Sequence, residues 1–589
     1  MPSRSRIGVH PLQSLVTIAV ILGLSAGVAA SAMAQEIHPE NLLPRSTVLY
    51  VAMDAPPAVM ASILDHPVSK QIQTLDVYQK ATQSQEYRNF LTGRKLFEIQ
   101  IGGEWRAAIE AVADKGLYAA YDAETKGGVL LVRGKDEATM ENFRTKILEL
   151  TRLNGGDQQK ITDYKGVAVY RLPEGGAAVY KDWLIVTNKG DLGKQVIDRI
   201  VAMPGEKQES LADNPIYQQA SQTRPASQVW SFVDLGTIRS GGGAQKVFEG
   251  QAENPLAELI VGGIQSVLQH ADWVTSDLSV GETGLTWNFT SPLAQDWIPE
   301  QRQYYFGPAN SGLAPALPEA KDTLLTLAAY RDVSAMWVRA GDLFNEQMND
   351  KLAEADAGLS TIFAGRDFGE EILGSFAPEI GVVVVRQDFA DTKPTPALRL
   401  PAFAMVLKLK DPETMRGELR RTFQSAIGFF NIVGAQNGNP QLEMDMQKVG
   451  ETDLITSRYL PEKKDKDSTT APIIYNFSPS VSFTGDRFVL ASTAKLAETL
   501  GTAPLKEAAS VNTAVELHAD ILRDALMDNQ EQLITQNMLT EGHSREEAEA
   551  AVGLLLEVMK NFKGAGLQLK ADKDRLNLQF HIDTNTPVR

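Results

Sequence analysis

A strand–turn–helix unit occurs twice in this chain, and that repetition constrains the fold more than any single motif. Residues 129–147 read VLLVRGKDEATMENFRTKI, and residues 404–423 read AMVLKLKDPETMRGELRRTF. Each is an apolar run, then Lys-Asp-x-x-Thr-Met, then a helical pattern. In the first copy Asp136 stands where a side-chain oxygen can accept a backbone N–H of the first turn. Met140, Phe143, Ile147 and Leu150 then recur at spacings of three and four, which places them on one helix face. In the second copy Asp411 takes the cap position and Pro412 the first helical position, where its missing N–H is harmless. Met415, Leu419, Phe423, Ile427 and Phe430 form the matching stripe. A second pair follows in the same order, KDWLIVTNKGDL at 181–192 and GDRFVLASTAKL at 485–496.

Short apolar runs separated by turn residues read as antiparallel strands. In the first half they fall near 48–53, 116–121, 129–132, 167–172, 177–180, 183–187 and 228–233. That half closes with a hairpin, 276–280 and 283–289, turned by Gly281-Glu282. The second half closes alike. It has a strand near 515–518, a helix opened by the capping box of Ser544 and Glu547, and a hairpin at 565–569 and 576–582 turned by Asp572-Lys573-Asp574. Other helices are expected at 59–64, 87–96, 102–113, 190–203 and 256–268. This alternation predicts an α+β class with two homologous lobes, each a curved, mainly antiparallel sheet with helices packed on one face. The lobes are residues 35–306 and 319–589. GPANSGLAPALP at 307–318 is the expected linker, and PEKKDKDSTT at 461–470 a charged loop or disordered insertion.

Residues 1–34 read as an export signal. Arg4 and Arg6 make a basic start, LVTIAVILGLSAGV is an apolar run, and Ala32-Met33-Ala34 is a small-x-small cleavage site. The mature chain is then expected to begin at Gln35, and the protein to be periplasmic or secreted. The apolar run is short for a span of roughly 20 residues, so no stable membrane span is expected after cleavage. No cysteine stands at the cleavage site for lipid attachment, and no twin arginine is present. The chain has no cysteine at all, so its stability must come from a core rather than disulfides. Removing Arg4 and Arg6 takes the formal charge from −17 to −19. Such an acidic balance opposes nucleic-acid binding, which needs Lys and Arg along the phosphates, and adhesion to an anionic membrane surface.

The order of these elements resembles that of exported bacterial proteins known only as a domain of unknown function. The resemblance lies in Leu43-Pro44 ahead of a strand ending at Asp54, in the strand–Lys-Asp–helix unit, and in the strand pair that follows it. Phe368-Gly369, Ile372-Leu373-Gly374 and Ile380-Gly381-Val382 give the second half a matching glycine pattern. The resemblance covers most of the mature chain. It implies a duplicated α+β architecture, and it carries over no activity and no site residues.

Motifs for chemistry are scarce. The mature histidines, His38, His66, His270, His518, His543 and His581, are far apart, and no pair has the spacing of a zinc helix. Asp465 and Asp467 lack the glycine and terminal glutamate of a calcium loop. Ser492-Thr493-Ala494-Lys495 matches Ser-x-x-Lys of penicillin-recognising hydrolases, without the companion motifs; Ser492 or Thr493 is expected to cap the following helix. Residues 239–243, RSGGG, lack the ending of a phosphate loop and read as flexible connection. Glu370-Glu371 and Glu546-Glu547 face different directions as helical neighbours. No catalytic, metal or cofactor site is expected. Trp297, Tyr304, Tyr305 and Phe306 cluster before the linker, as a partner surface or as packing that pins the linker. The expected function is that of a non-enzymatic exported envelope protein binding a partner protein, a polymer or an apolar ligand such as a lipid. The alternative is an exported hydrolase with dispersed acid–base residues.

Overall fold

The computed structural model describes residues 37–585 apart from 75–77, 79–81, 83–84, 154–160, 173–174, 203–207, 243–253, 364, 391–394 and 461–470. The expected export signal at 1–34 and the charged insertion at 461–470 therefore lie outside the described residues. So do the side chains of Ile147 and Leu150.

The first ten strands are β1 (Thr47–Met53), β2 (Gly116–Asp122), β3 (Gly127–Arg133), β4 (Ile161–Tyr164), β5 (Val167–Leu172), β6 (Gly175–Tyr180), β7 (Trp183–Thr187), β8 (Val229–Asp234), β9 (Trp273–Gly281) and β10 (Gly284–Pro292). The next ten are β11 (Thr323–Tyr330), β12 (Glu379–Val385), β13 (Ala402–Lys408), β14 (Leu442–Val449), β15 (Thr452–Tyr459), β16 (Ser480–Thr484), β17 (Arg487–Ala491), β18 (Thr513–His518), β19 (Phe562–Ala571) and β20 (Arg575–Thr584). All pair antiparallel into one sheet. Its spatial order is 4-5-6-7-3-2-1-8-9-10-20-19-18-11-12-13-17-16-15-14. Each set of ten has the same internal order, and the sets meet at their tenth strands. A register shift falls at the same point of the first strand in both, between Thr47 and Leu49 and between Thr323 and Leu325.

Side chains alternate between the two faces of a strand, so the registers assign every residue to the face of Tyr50 or that of Leu49. On the Tyr50 face of the first half, Tyr50, Tyr118, Leu131, Ile185, Trp183, Trp230 and Phe232 are buried in one core, with Tyr217 of the helix Pro215–Ser221 packed on Tyr50, Trp230 and Phe232 and the helix Gly190–Val201 over β3, β6 and β7. That helix contributes Leu192, Val196, Ile197 and Ile200. The Tyr50 face of the second half buries Val383, Ala404, Val406 and Val489 under Leu496, Ala497 and Leu500 of the helix Ala494–Thr502.

The Leu49 face is covered as well. Met415, Leu419, Phe423 and Ile427 of the helix Pro412–Gln436 pack on Ile455, Val481, Phe483 and Phe488. The expectation of helices on one face is therefore corrected: one sheet carries helices on both. The reason is visible in β16, whose first four residues are all buried, so both of its faces need cover. Phe430, expected in the buried stripe, is exposed; at that turn the helix meets the sheet through Asn431 instead, whose side chain exchanges hydrogen bonds with the backbone of Leu442 at 2.7 and 2.9 Å. Arg239 and Ser240, read as flexible loop, end the helix Leu235–Ser240. The 307–318 segment is an ordered strap, held by Gly312 N–H to Phe306 O at 2.8 Å and Ala314 N–H to Val511 O at 2.8 Å.

Candidate functional site

The two halves join along β10 and β20. In β10, Leu285, Trp287 and Phe289 alternate with Thr286, Asn288 and Thr290; in β20, Leu578, Phe580 and Ile582 alternate with Asn577, Gln579 and His581. Register sets Trp287 opposite Phe580 and Asn288 opposite Gln579. The seam thus has one apolar and one polar face.

On the Leu49 face, Trp287 and Phe580 belong to a longer file of directly opposed residues. It runs Leu278, Trp287, Phe580, Leu567, Val515, Leu327, Val382, Met405 and Leu490 across β9, β10, β20, β19, β18, β11, β12, β13 and β17. Beside it runs Val280, Leu285, Ile582, Ala565, Leu517, Leu325, Val384 and Phe403. Both files are apolar throughout, and none of these residues is buried. Trp287 is 43 % exposed, Met405 40 % and Phe403 53 %. Eight inter-strand steps make a strip about 40 Å long, at roughly 4.8 Å per step. Of the seventeen residues, Trp287, Phe580 and Ile582 are exposed towards one end and Phe403, Met405 and Leu490 at the other, while the rest are half-buried; an apolar surface of this extent is a candidate interaction site. Its aromatic part is tight, with the Trp287 and Phe289 rings 4.6 Å apart and Phe289 edge-on to Phe580 at 6.1 Å.

On the Tyr50 face the same strands carry Asp277, Asn288, Gln579 and Gln568 in one row. Asn288 donates to Asp277 Oδ1 at 2.9 Å, and Gln579 donates to Asn288 Oδ1 at 2.8 Å. Counted from the centre of its hairpin, Asn288 holds the same place as Gln579. Thr290 donates to Asn577 at 3.0 Å in the next row. With Thr275, Lys570 and Arg575 among others, these residues line an open cavity of about 410 Å³.

The aromatic cluster lies at one end of this seam, and the structure uses it for packing. Tyr304, Tyr305 and Phe306 are buried, and Trp297 is half-buried, stacked on His270 at 6.0 Å. They press on the helix Pro255–His270 at Gly262 and Gly263, where no side chain fits. A Cβ on Gly263 would stand 2.3 Å from the Tyr305 ring. The buried Glu258 of that helix receives Arg302 in two hydrogen bonds, 2.7 and 3.1 Å, and the Tyr304 hydroxyl at 3.0 Å. Burial, and then the Glu258 charge, push the Tyr304 hydroxyl pKa well above the ordinary tyrosine value, which keeps it a donor. Arg331 of the second half lies 3.5 Å over the Tyr305 ring and donates to Leu259 O at 2.8 Å and Asn512 Oδ1 at 2.9 Å. Asn512 donates to Tyr305 O at 3.1 Å and Gly312 O at 3.2 Å. The network joins first half, strap and second half.

The remaining sequence candidates also have structural roles. Ser492 Oγ accepts the Phe403 N–H at 2.9 Å, and Thr493 caps the helix Ala494–Thr502. Glu547 closes the capping box with Ser544, and Glu371 accepts the Asp367 N–H. Among the described residues no three His, Asp or Glu side chains gather as a metal site, and no helix is long and apolar enough to cross a membrane. Sequence reading missed the strip, although the two-residue alternation in β10 and β20 was its signal.

No family model matches this chain, and no curated protein matches it. Among solved structures it is similar in part to crystal form IV of TP0453, at 11 % identity and a TM-score of 0.24, over 44 % of this chain and 83 % of that one. Crystal form I of TP0453 gives 12 % identity and a TM-score of 0.23, over 44 % and 81 %. At these scores the likeness bears on neither fold nor function.

Proposed function

We propose that this is an exported, non-catalytic protein of the periplasm or cell exterior, built from two homologous halves, that holds the acyl chains of a lipid along its apolar strip. The observation that carries the reading is the pair of adjacent apolar files, one crossing β9 to β17 and the other β9 to β13, with no polar interruption and no fully buried member. Homology of the halves is supported by their shared strand order, the matching register shift and the repeated Lys-Asp-x-x-Thr-Met unit. A strip about 40 Å long exceeds one leaflet of hydrocarbon, roughly 15 Å or half of a bilayer core, so it has room for both chains of a lipid lying across the strands. Burial of apolar area drives such binding at about 25 cal/mol per Å², and the acidic surface elsewhere keeps the empty protein soluble.

The test is to isolate the protein from its own envelope and analyse extracted small molecules by mass spectrometry. Brominated phospholipid then reports the place of binding. It is expected to quench the native chain, and Trp287→Phe is expected to remove the largest share of that quenching: of the seven tryptophans Trp183, Trp230 and Trp273 are buried, Trp105, Trp297 and Trp337 are half-buried and outside the strip, and Trp287 alone is exposed. A chain that carries no lipid and whose fluorescence ignores brominated lipid rules the reading out.

A further inference from the structure

A second apolar space lies away from the strip, in the first half, between the strands β5 to β7 and the helix Gly190–Val201. Its volume is about 320 Å³, within the range of small-ligand pockets. Its floor and roof include Val169, Ala178, Ile185 and Ile197, and its lining is mostly apolar. Two cations, Arg171 and Lys194, also line it, and both are exposed.

The corresponding place in the second half is closed. There Ser482 stands where the first half has Ala178, by register from β17, and its hydroxyl donates to Ala497 O of the helix at 2.8 Å. Thr484 donates to Gly501 O at 2.9 Å and Arg487 to Leu500 O at 2.6 Å. These bonds draw the helix so close that a Cβ on Gly501 would lie 2.7 Å from Ser482 Oγ. In the first half the matching positions are Ala178, Tyr180 and Trp183, which make no such bond among the described residues. The cavity is thus what remains when the side chains that pull the helix down are replaced by ones that do not.

We infer that this cavity binds a single alkyl chain with an anionic head, in the manner of a fatty-acid carboxylate, the chain between sheet and helix and the head met by Arg171 and Lys194. The choice of occupant follows from charge. In a chain of formal charge −17, the charged members of this lining among the described residues are both cationic. Arg171 has no carboxylate partner among the described residues. Lys194 has Asp191 at 3.5 Å, with Asp191 itself 85 % exposed, so a surface pair of little strength leaves it available. The nearby Asp198 is taken by Lys165 at 2.7 Å and by the Tyr164 hydroxyl at 3.3 Å. A neutral chain would use the cavity and leave the cations idle; a small anion would use the cations and leave the cavity empty.

The experiment is calorimetric titration of the delipidated full chain with palmitate and with hexadecanol. Palmitate is expected to fill one tight site per chain, resolved from weaker uptake along the strip. The double variant Arg171→Gln with Lys194→Gln should weaken palmitate at least tenfold and hexadecanol less than twofold. Ala178→Leu should weaken both at least tenfold, and Trp287→Ser should change neither by more than twofold, which separates this site from the strip. The inference is overturned if palmitate does not bind, if the charge variant binds it as the native chain does, or if Trp287→Ser costs as much as Ala178→Leu. The charge variant alters only exposed side chains, so the inference stays testable even if Ala178→Leu does not fold.

Discussion

At the scale of single residues, the repeated Lys-Asp-x-x-Thr-Met motif resolves into two local tasks. Asp136 accepts the Thr139 N–H at 2.8 Å and Asp411 accepts the Thr414 N–H at 3.2 Å, so each aspartate closes the open end of its helix. Met140 and Met415, four residues on, are both buried. The motif needs an aspartate and a methionine at that spacing because one turn of helix separates cap from core. Hydrogen bonds from Thr139 and from Thr414 hold the two carboxyls below the ordinary aspartate pKa. A depressed folded-state pKa contributes stability that is complete above the unfolded value and is lost as pH falls through the folded one. The expected result is that Asp136→Ala and Asp411→Ala lower the urea midpoint by a constant amount above about pH 5, and by progressively less below about pH 4. A deficit unchanged at pH 2 would show that the caps do not act through ionised carboxylates.

At the scale of elements, the helix Pro255–His270 meets the segment 302–306 through absence of side chains as much as through their presence. Gly262 and Gly263 leave the space that Tyr304, Tyr305 and Phe306 fill, while Glu258 anchors Arg302. Gly263→Ala should cost about 1–3 kcal/mol, the usual penalty for overfilling a packed contact. Arg302→Met should cost about 3–5 kcal/mol, because it strands a buried carboxylate without its partner. Equilibrium urea unfolding measures both, and a Gly263→Ala protein as stable as the native one would mean that the helix can shift outward freely. The aromatic residues were visible in the sequence as a cluster. Their burial was not, because the glycines that admit them lie some forty residues earlier and have no periodic signature.

At the scale of the whole molecule, the two halves share one sheet, and that sharing sets how the protein unfolds. β10 and β20 are each the last strand of their half, and among the described residues each has the other as its only neighbour beyond its own hairpin. With the Arg331–Asn512 network bridging the same junction, calorimetry should give one cooperative transition. Asn288→Pro places a residue without an N–H in the middle of the seam, where a central strand does not tolerate it. That variant should lose about 3 kcal/mol or more and split the transition in two. Two transitions already present in the native protein would mean that the seam does not couple the halves.

The sequence by itself determined what depends on neighbours a few residues apart: the alternation of strands, the stripes and caps of helices, the closing hairpins, and the repetition of the strand–Lys-Asp–helix unit. These follow from fixed periods of two and 3.6 residues and from the few side chains that can satisfy a free N–H. The tertiary structure alone decided that β10 pairs with β20, that helices cover both faces, and that two apolar files lie side by side in the open. The first rests on contacts between residues nearly three hundred positions apart, and the others on contacts between elements well beyond the reach of a local pattern. An edge strand offers the same row of backbone donors and acceptors to any partner, so no local pattern names the one it takes. The cavity of the first half belongs to the same class, since Ala178 and Ser482 differ by one oxygen whose consequence exists only once a helix lies above it.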